Sequence, residues 1–269
     1  MLNRALSIAI IFKRCIFMKK RMFVFIFCFN SFLFSIEPVI LLFGPPGSGK
    51  GTFGQFAKGK GYNHLSAGDM IRDEIIKKTP YGLIVESIVK RGDYVDRELL
   101  CRMINQKITE LTLEGKPFII DGIGRSPEDM QALFNIMAEL KLNDRTLVLF
   151  LDADDKLCQE RMSSRLICNN CHFVYGSKCL GYSCGDLCPN CEEDFLEKRM
   201  NDTASVIEKR ISYYREVIES NYKKSLEIFP AIFFNSGQES SECLKFYEDL
   251  LDKLKNYEGD LIDFVHLIY

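Results

Sequence analysis

Surplus positive charge is the first thing this chain lacks. Its 35 lysines and arginines face 37 aspartates and glutamates, for a net charge of −2, so it has no overall attraction for nucleic acid and any cationic site must be local. No internal repeat is visible, and with 47% hydrophobic and 27% charged residues over 269 positions the chain is not disordered and can bury a sizeable core in one or two domains. A long uninterrupted apolar run is lacking too, although the N-terminus resembles a signal peptide or a short anchor. Lys19-Lys20-Arg21 precedes a phenylalanine-rich run, Met22 to Ile36, broken by Asn30 and Ser31; it is shorter than the ~20 residues a membrane helix wants. No A-x-A-like cleavage site precedes Glu37, so three readings of residues 1–37 stand: an export signal, a membrane tether, or translated upstream sequence with initiation at Met18 or Met22.

A disulfide framework is absent as well. Six of the eleven cysteines crowd between Cys168 and Cys191, and Cys15, Cys28, Cys101, Cys158 and Cys243 are scattered singly. That is the distribution of a local metal site plus buried core thiols. Cys168-Asn-Asn-Cys171 and Cys188-Pro-Asn-Cys191 form two C-x2-C knuckles sixteen residues apart, a spacing that lets four thiolates close a tetrahedral zinc site. The rival is a pair of redox-active C-x-x-C motifs, opposed by the turn residues and the lack of a thioredoxin-like context. Cys179 and Cys184 lie between the knuckles as possible substitute ligands, and His172 reads as a knuckle residue.

What is present most distinctly is Val39-Ile-Leu-Leu-Phe-Gly44-Pro-Pro-Gly47-Ser48-Gly49-Lys50-Gly51-Thr52. An apolar strand runs into a glycine-rich turn whose bare main chain lets successive N–H groups converge on an anion, and the following helix aims its positive end at the same charge. Lys50 is spaced to reach β/γ-phosphates. One position departs from the general phosphate-loop pattern: Gly51 stands where a magnesium-touching hydroxyl is usual, and Thr52 supplies the hydroxyl one residue later.

Beyond this loop, Lys116–Asp121, Arg145–Asp152 and Pro230–Asn235 read as strands alternating with helical patterns, notably Asp96–Leu113 and Asp202–Leu226. That alternation predicts an α/β fold with a parallel sheet flanked by helices. Ala67 to Val95 and Cys168 to Phe195 interrupt it, and insertions above strand ends are where substrates bind and lids move. Gly259 to Tyr269 has no evident role. Arg72, Arg125, Arg161, Arg165, Arg199 and Arg210 flank the motifs; singly each is a surface charge, but together they suit phosphoryl transfer, which needs planar cations on both substrates. Asp121, at a strand end, suits a hydrated Mg²⁺, with a helix-capping aspartate as the alternative. No general base is required, because a nucleoside monophosphate offers an already ionised phosphate.

From about Pro38 to about Lys255 the chain resembles the adenylate kinases, specifically those with a zinc-bearing lid. The resemblance rests on Gly44 to Thr52, Gly68-Asp-Met-Ile-Arg72, Asp121-Gly-x-x-Arg125, Arg161-x-x-x-Arg165, the four-cysteine segment with Tyr175, and Asp202 through Arg210. It implies a phosphate-loop core over 38–257, a monophosphate-binding lobe over 67–95, a zinc lid over 163–200 and a tail over 258–269. It also implies an ATP side made by Gly47, Ser48, Gly49, Lys50, Gly51, Thr52, Arg165, Val174, Tyr175 and, through its main chain, Gln238. The AMP side would comprise Ala67, Arg72, Asp93, Tyr94, Val95, Gly122, Ile123, Gly124, Arg125, Asp129, Arg199 and Arg210. Arg199 and Arg210, with Lys50, Arg125, Arg161 and Asp121, would face the transferred phosphate.

The implied reaction is Mg·ATP + AMP ⇌ 2 ADP, with structural Zn²⁺ in Cys168, Cys171, Cys188 and Cys191. A cytoplasmic monomer is expected, without nucleic acid, touching membrane only through residues 22–36. Export ranks below the other readings of that segment, since it would part the enzyme from its nucleotide pool. Several residues depart from the family pattern: Ile123 and Gly124 replace Phe-Pro, which should loosen the turn aiming Arg125; Asp129 replaces a glutamine and should read the base; Asn201 and Ser205 replace acidic residues. Ala67 and the run His64-Leu-Ser-Ala67 are more typical of UMP/CMP kinases, the near alternative. A catalytically silent nucleotide- or zinc-binding module is the distant one, opposed by Lys50, Asp121 and the retained arginines.

Overall fold

The computed structural model describes residues 37–91, 97–176, 181–200 and 202–268. The expectations for residues 1–36, for Asp93, Tyr94 and Val95, and for Cys179 and Asn201 lie outside the described residues.

Strand β1 (Val39–Phe43) is buried along its whole length, as an apolar run covered on both faces should be. It pairs in parallel with β3 (Phe118–Asp121) on one side and β4 (Thr146–Asp152) on the other. With β2 (Asn63–Ser66) and β8 (Ala231–Asn235) the five-stranded order is β2-β3-β1-β4-β8. The chain leaves β1 towards one edge and later crosses to the other, so the C-terminal end of β1 is the switch point where an open parallel sheet binds ligands.

The period-two alternation of β1 divides the core. Val39, Leu41 and Phe43 join the cluster with Ile104 and Ile108 of α4 (Arg97–Leu113) and Met130 and Leu133 of α5 (Pro127–Glu139), while Ile40 and Leu42 pack with Phe53 of α1 (Lys50–Gly59) and Tyr247 and Leu250 of α9 (Ser240–Lys255). The segment expected as a tail carries α10 (Leu261–Ile268), and its Leu261 and Phe264 complete the second cluster.

The interruption at 67 forms two helices, α2 (Ala67–Ile76) and α3 (Pro80–Lys90). Ser66 caps α2 by accepting from the Asp69 N–H at 3.3 Å, and Thr79 caps α3 with Pro80 in its first turn, both favourable helix starts. After α6 (Asp155–Ser164) the second interruption forms a separate antiparallel sheet in which β5 (Arg165–Cys168) lies between β6 (Val174–Gly176) and β7 (Leu196–Lys198). Its core is Leu166, Tyr175 and Leu196 packed on Cys168 and Cys188.

The long helix expected from Asp202 runs without a gap from Ala204 to Glu227, winding as α7 (Ala204–Tyr213), a π turn over Tyr214–Ile218, α8 (Glu219–Lys223) and a 3-10 turn. Within the π turn Tyr214 and Ile218 are buried, while Arg215 meets Asp152, Asp155 and Glu219 at 2.9–3.3 Å.

Candidate active site

The glycine-rich turn closes the C-terminal end of β1 as the sequence predicts. Gly47 sits at φ 88°, and a Cβ there would come within 2.6 Å of the Cys158 carbonyl oxygen, so the position needs glycine on both counts. No described side chain caps α1, which leaves its first N–H groups to an anion. Ser48 is buried, and its carbonyl accepts the Ser236 hydroxyl at 2.6 Å. Thr52, in the first turn of α1, is exposed, and Val174 Cγ2 of β6 lies close to Gly51, 3.7 Å from where a Cβ would be. The antiparallel lobe is therefore folded down over the loop. Tyr175, expected on the ATP side with Val174, turns its ring inwards and its hydroxyl meets Cys188 Sγ at 3.4 Å.

Lys50 Nζ donates to the Gly44 and Pro45 carbonyls at 2.7 and 2.8 Å. Burial pushes its ammonium down to about 8 against the support of Asp121, and Arg210 and Arg125 add to the fall. A lysine so placed is short of anions and gains from a polyphosphate. Asp121 is buried at the end of β3, with Oδ1 unpartnered among the described residues and Oδ2 3.5 Å from His64 Nε2. It terminates a strand and caps no helix, and an orphaned carboxylate oxygen beside a phosphate loop fits a hydrated divalent cation.

The arginines converge from four elements. Arg161 of α6 donates to the Ser236 carbonyl at 2.8 Å, which ties it to the loop carrying Gln238. Gln238 is itself exposed, and its carbonyl is 3.8 Å from Cys243 Sγ. Arg165 makes a two-pronged pair with Asp202, whose carboxylate also lies 3.7 Å from Arg210 Nη1. Desolvation first, then the like charges of Arg165 and Arg72, hold the Arg199 guanidinium well below its ordinary range, and its Nε is buried without a partner among the described residues. Arg199 thus senses cations of both lobes.

On α2 Arg72 pairs with Asp69. Desolvation alone would raise the Asp69 carboxyl, but Arg72, with His64, Arg199 and His172, brings it below the usual range. Gly122 faces the Arg125 guanidinium and Ala67, 3.6 and 3.7 Å from where its Cβ would be. The Ile123-Gly124 turn is reorganised: Ile123 is buried in the core, and Gly124 adopts φ 78° with Met130 Sδ 2.1 Å from the place of a Cβ. A proline, fixed near φ −65°, cannot take that conformation. The Arg125 carbonyl accepts from Asn221 at 3.2 Å, which anchors the turn expected to be loose. Asp129 closes a capping box with Ser126: Oδ2 accepts the Ser126 N–H at 3.2 Å, while Oδ1 is buried and unpartnered among the described residues.

Cys168, Cys171, Cys188 and Cys191 bring their sulfurs within 4.8 Å of one another. The Cys168–Cys191 and Cys171–Cys188 sulfur separations are both 3.6 Å, close to the roughly 3.8 Å that a tetrahedron of 2.3 Å Zn–S bonds requires. Burial pushes the Cys168 thiol up to about 12. Desolvation acts on Cys188 in the same sense but is outweighed by hydrogen bonds from Tyr175 and from the Cys191 and Asn190 N–H groups, which bring it down to about 6. Cys184 is exposed and stands outside the cluster.

Asp202, Ser236 and Asp69 were not singled out as site residues from the sequence. Ser236 gives no local signal, whereas Asp202 and Asp69 both stand inside motifs already recognised.

Cations from two lobes meeting across one phosphate loop suit transfer between two phosphates, the layout of a nucleoside monophosphate kinase. The adenylate kinase family model matches residues 42–224, and the chain belongs to that family. Similar proteins include an adenylate kinase of Thermococcus kodakarensis, 36% identical over 224 residues, covering 81% of this chain and 96% of the relative. One from Hydrogenobaculum is 32% identical over 213 residues, covering 77% and 98%; one from Mycoplasma mobile is 34% identical over 180 residues, covering 66% and 81%.

Proposed function

We propose that the protein is an adenylate kinase that moves the terminal phosphoryl group of Mg·ATP to AMP, giving two ADP and balancing adenine nucleotides. The observation that carries this is the glycine-rich turn at the end of β1, with Lys50 Nζ donating to the Gly44 and Pro45 carbonyls at 2.7 and 2.8 Å and Arg165 and Arg210 gathered on the Asp202 carboxylate. The main-chain N–H groups of Gly47 to Thr52 and Lys50 hold the β- and γ-phosphates. Arg72 and Arg125 hold the monophosphate, whose ionised oxygen attacks the γ-phosphorus in line as the bond to the ADP oxygen breaks. Arg161, Arg199 and Arg210 stabilise charge on the transferred group. Asp121 would hold a hydrated Mg²⁺, which neutralises the phosphate oxygens when bound.

Zinc in the four-cysteine cluster would fasten the antiparallel lobe as a lid and take no part in transfer. No helix among the described residues is long and apolar enough to cross a membrane, and ATP and AMP pools favour a cytoplasmic enzyme, which we take to be monomeric. One observation favours some use of CMP: Asp129 Oδ1, unpartnered among the described residues, is an acceptor suited to an exocyclic amine, which adenine and cytosine carry and uracil lacks. A coupled assay with ATP and each of AMP, CMP, UMP and GMP tests the reading. AMP is expected to be used best and UMP worst of AMP, CMP and UMP; no turnover with any of the four would contradict it.

A further inference from the structure

His172 is the one residue of the cysteine lobe through which three parts of the described structure meet. It follows Cys171 in the turn between β5 and β6, and its own N–H donates to the Cys168 carbonyl at 3.0 Å. Its carbonyl accepts from Gln55 Nε2 of α1 at 3.1 Å. Its ring reaches the helical lobe, where Nε2 meets Asp73 Oδ1 of α2, one residue beyond Arg72. Asp69, one turn earlier on the same helix, senses it too. His172 holds φ 59°, a left-handed conformation that costs a histidine free energy and a glycine almost none. The side chain is only 15% exposed, so the ring is committed to this contact.

We infer that His172 and Asp73 are a positioning pair that holds the cysteine lobe over the monophosphate helix and so couples the binding of the two nucleotides. The inference rests on the assignment of ATP to the lobe bearing His172 and of AMP to the helix bearing Asp73. The pair joins the two lobes directly, beside the Gln55–His172 bond to α1, so a nucleotide that fixes one lobe presents half of the pair to the other. By linkage each nucleotide then tightens the other by the same factor. The pair touches no reacting atom. It stabilises the closed arrangement that Arg72, Arg165 and Arg199 need in order to act together.

The test is a double-mutant cycle read on binding. AMP affinity is measured with and without a non-transferring ATP analogue in the native enzyme, His172→Gly, Asp73→Ala and the double variant. Glycine suits the left-handed turn, so His172→Gly should unfold no earlier than the native protein. The coupling factor should fall roughly two- to fivefold in each single variant, the size of one part-exposed hydrogen-bonded contact, and no further in the double variant. KM for both nucleotides should rise while kcat is unchanged or increases, since opening is eased. His172→Asn, which tolerates the turn and keeps a donor, should retain part of the coupling. Unchanged coupling, or losses that add in the double variant, would overturn the pair while leaving the kinase reading intact. A native enzyme inactive with ATP and AMP would overturn the kinase reading itself.

Discussion

Asp202 and Arg165 form a two-pronged ion pair across the root of the antiparallel lobe, and the same carboxylate lies 3.7 Å from Arg210 Nη1. One side chain, only 4% exposed, therefore holds two arginines in register.

Removing that charge should cost fold and function together. Asp202→Asn takes away the buried carboxylate that Arg165 and Arg210 share. We expect a loss of roughly 3 kcal/mol, the lower end for breaking a buried pair, measured by denaturant unfolding, with ATP affinity reduced as Arg165 swings away. An unchanged midpoint would show that solvent replaces the carboxylate without cost.

Lys50 predicts the pH dependence. Its ammonium titrates at about 8; it is charged below that pH and neutral above, and only the charged form attracts phosphate. The kcat/KM for ATP, which reports the free enzyme, should fall as pH rises through about 8. With ATP bound the phosphates support the ammonium, so the limb in kcat should lie at higher pH. A kcat/KM flat to pH 9 would contradict the assignment.

The cysteine cluster predicts a metal. Protein prepared without chelator should contain one zinc per chain, and Cys168→Ser or Cys191→Ser should melt the antiparallel lobe at lower temperature while changing turnover at low temperature less. Metal analysis that finds none would refute the site.

Asp129 predicts base selection. Glutamine also serves at the third position of a capping box, so Asp129→Gln should preserve α5 while replacing a pure acceptor with a group that also donates. The penalty on UMP, roughly 1–3 kcal/mol for oxygen against oxygen, should ease, and the ratio of kcat/KM for AMP over UMP should fall. A ratio unmoved by the substitution would mean that Oδ1 does not face the base.

Much of this was legible in the sequence, for local reasons. The run Val39–Phe43 and the glycines after it announce a buried strand and phosphate loop within one short stretch, and the knuckle cysteines announce their cluster by spacing. Strand β2 was not legible because Asn63-His-Leu-Ser66 carries no apolar run; its place at the sheet edge comes from its register with β3. Nor was α10, whose Phe264 is buried by elements formed far earlier in the chain. The links between Arg165 and Asp202, Arg161 and Ser236, and Asp73 and His172 span 37, 75 and 99 positions. Such pairs are set by topology, and one sequence holds no local sign of them. The Ile123-Gly124 turn reads as loosened from its residue types, yet a left-handed glycine packed on Met130 and an anchoring Asn221 hold it.

The central claim is that one phosphoryl group passes directly from ATP to AMP under the charge of Lys50. Phosphorus NMR of ATP and AMP with the native enzyme and with Lys50→Met measures it most directly. Two ADP should form for each AMP consumed, with no release of inorganic phosphate, and the variant should fold yet lose most turnover. Inorganic phosphate in place of ADP, or near-native turnover in Lys50→Met, would contradict it.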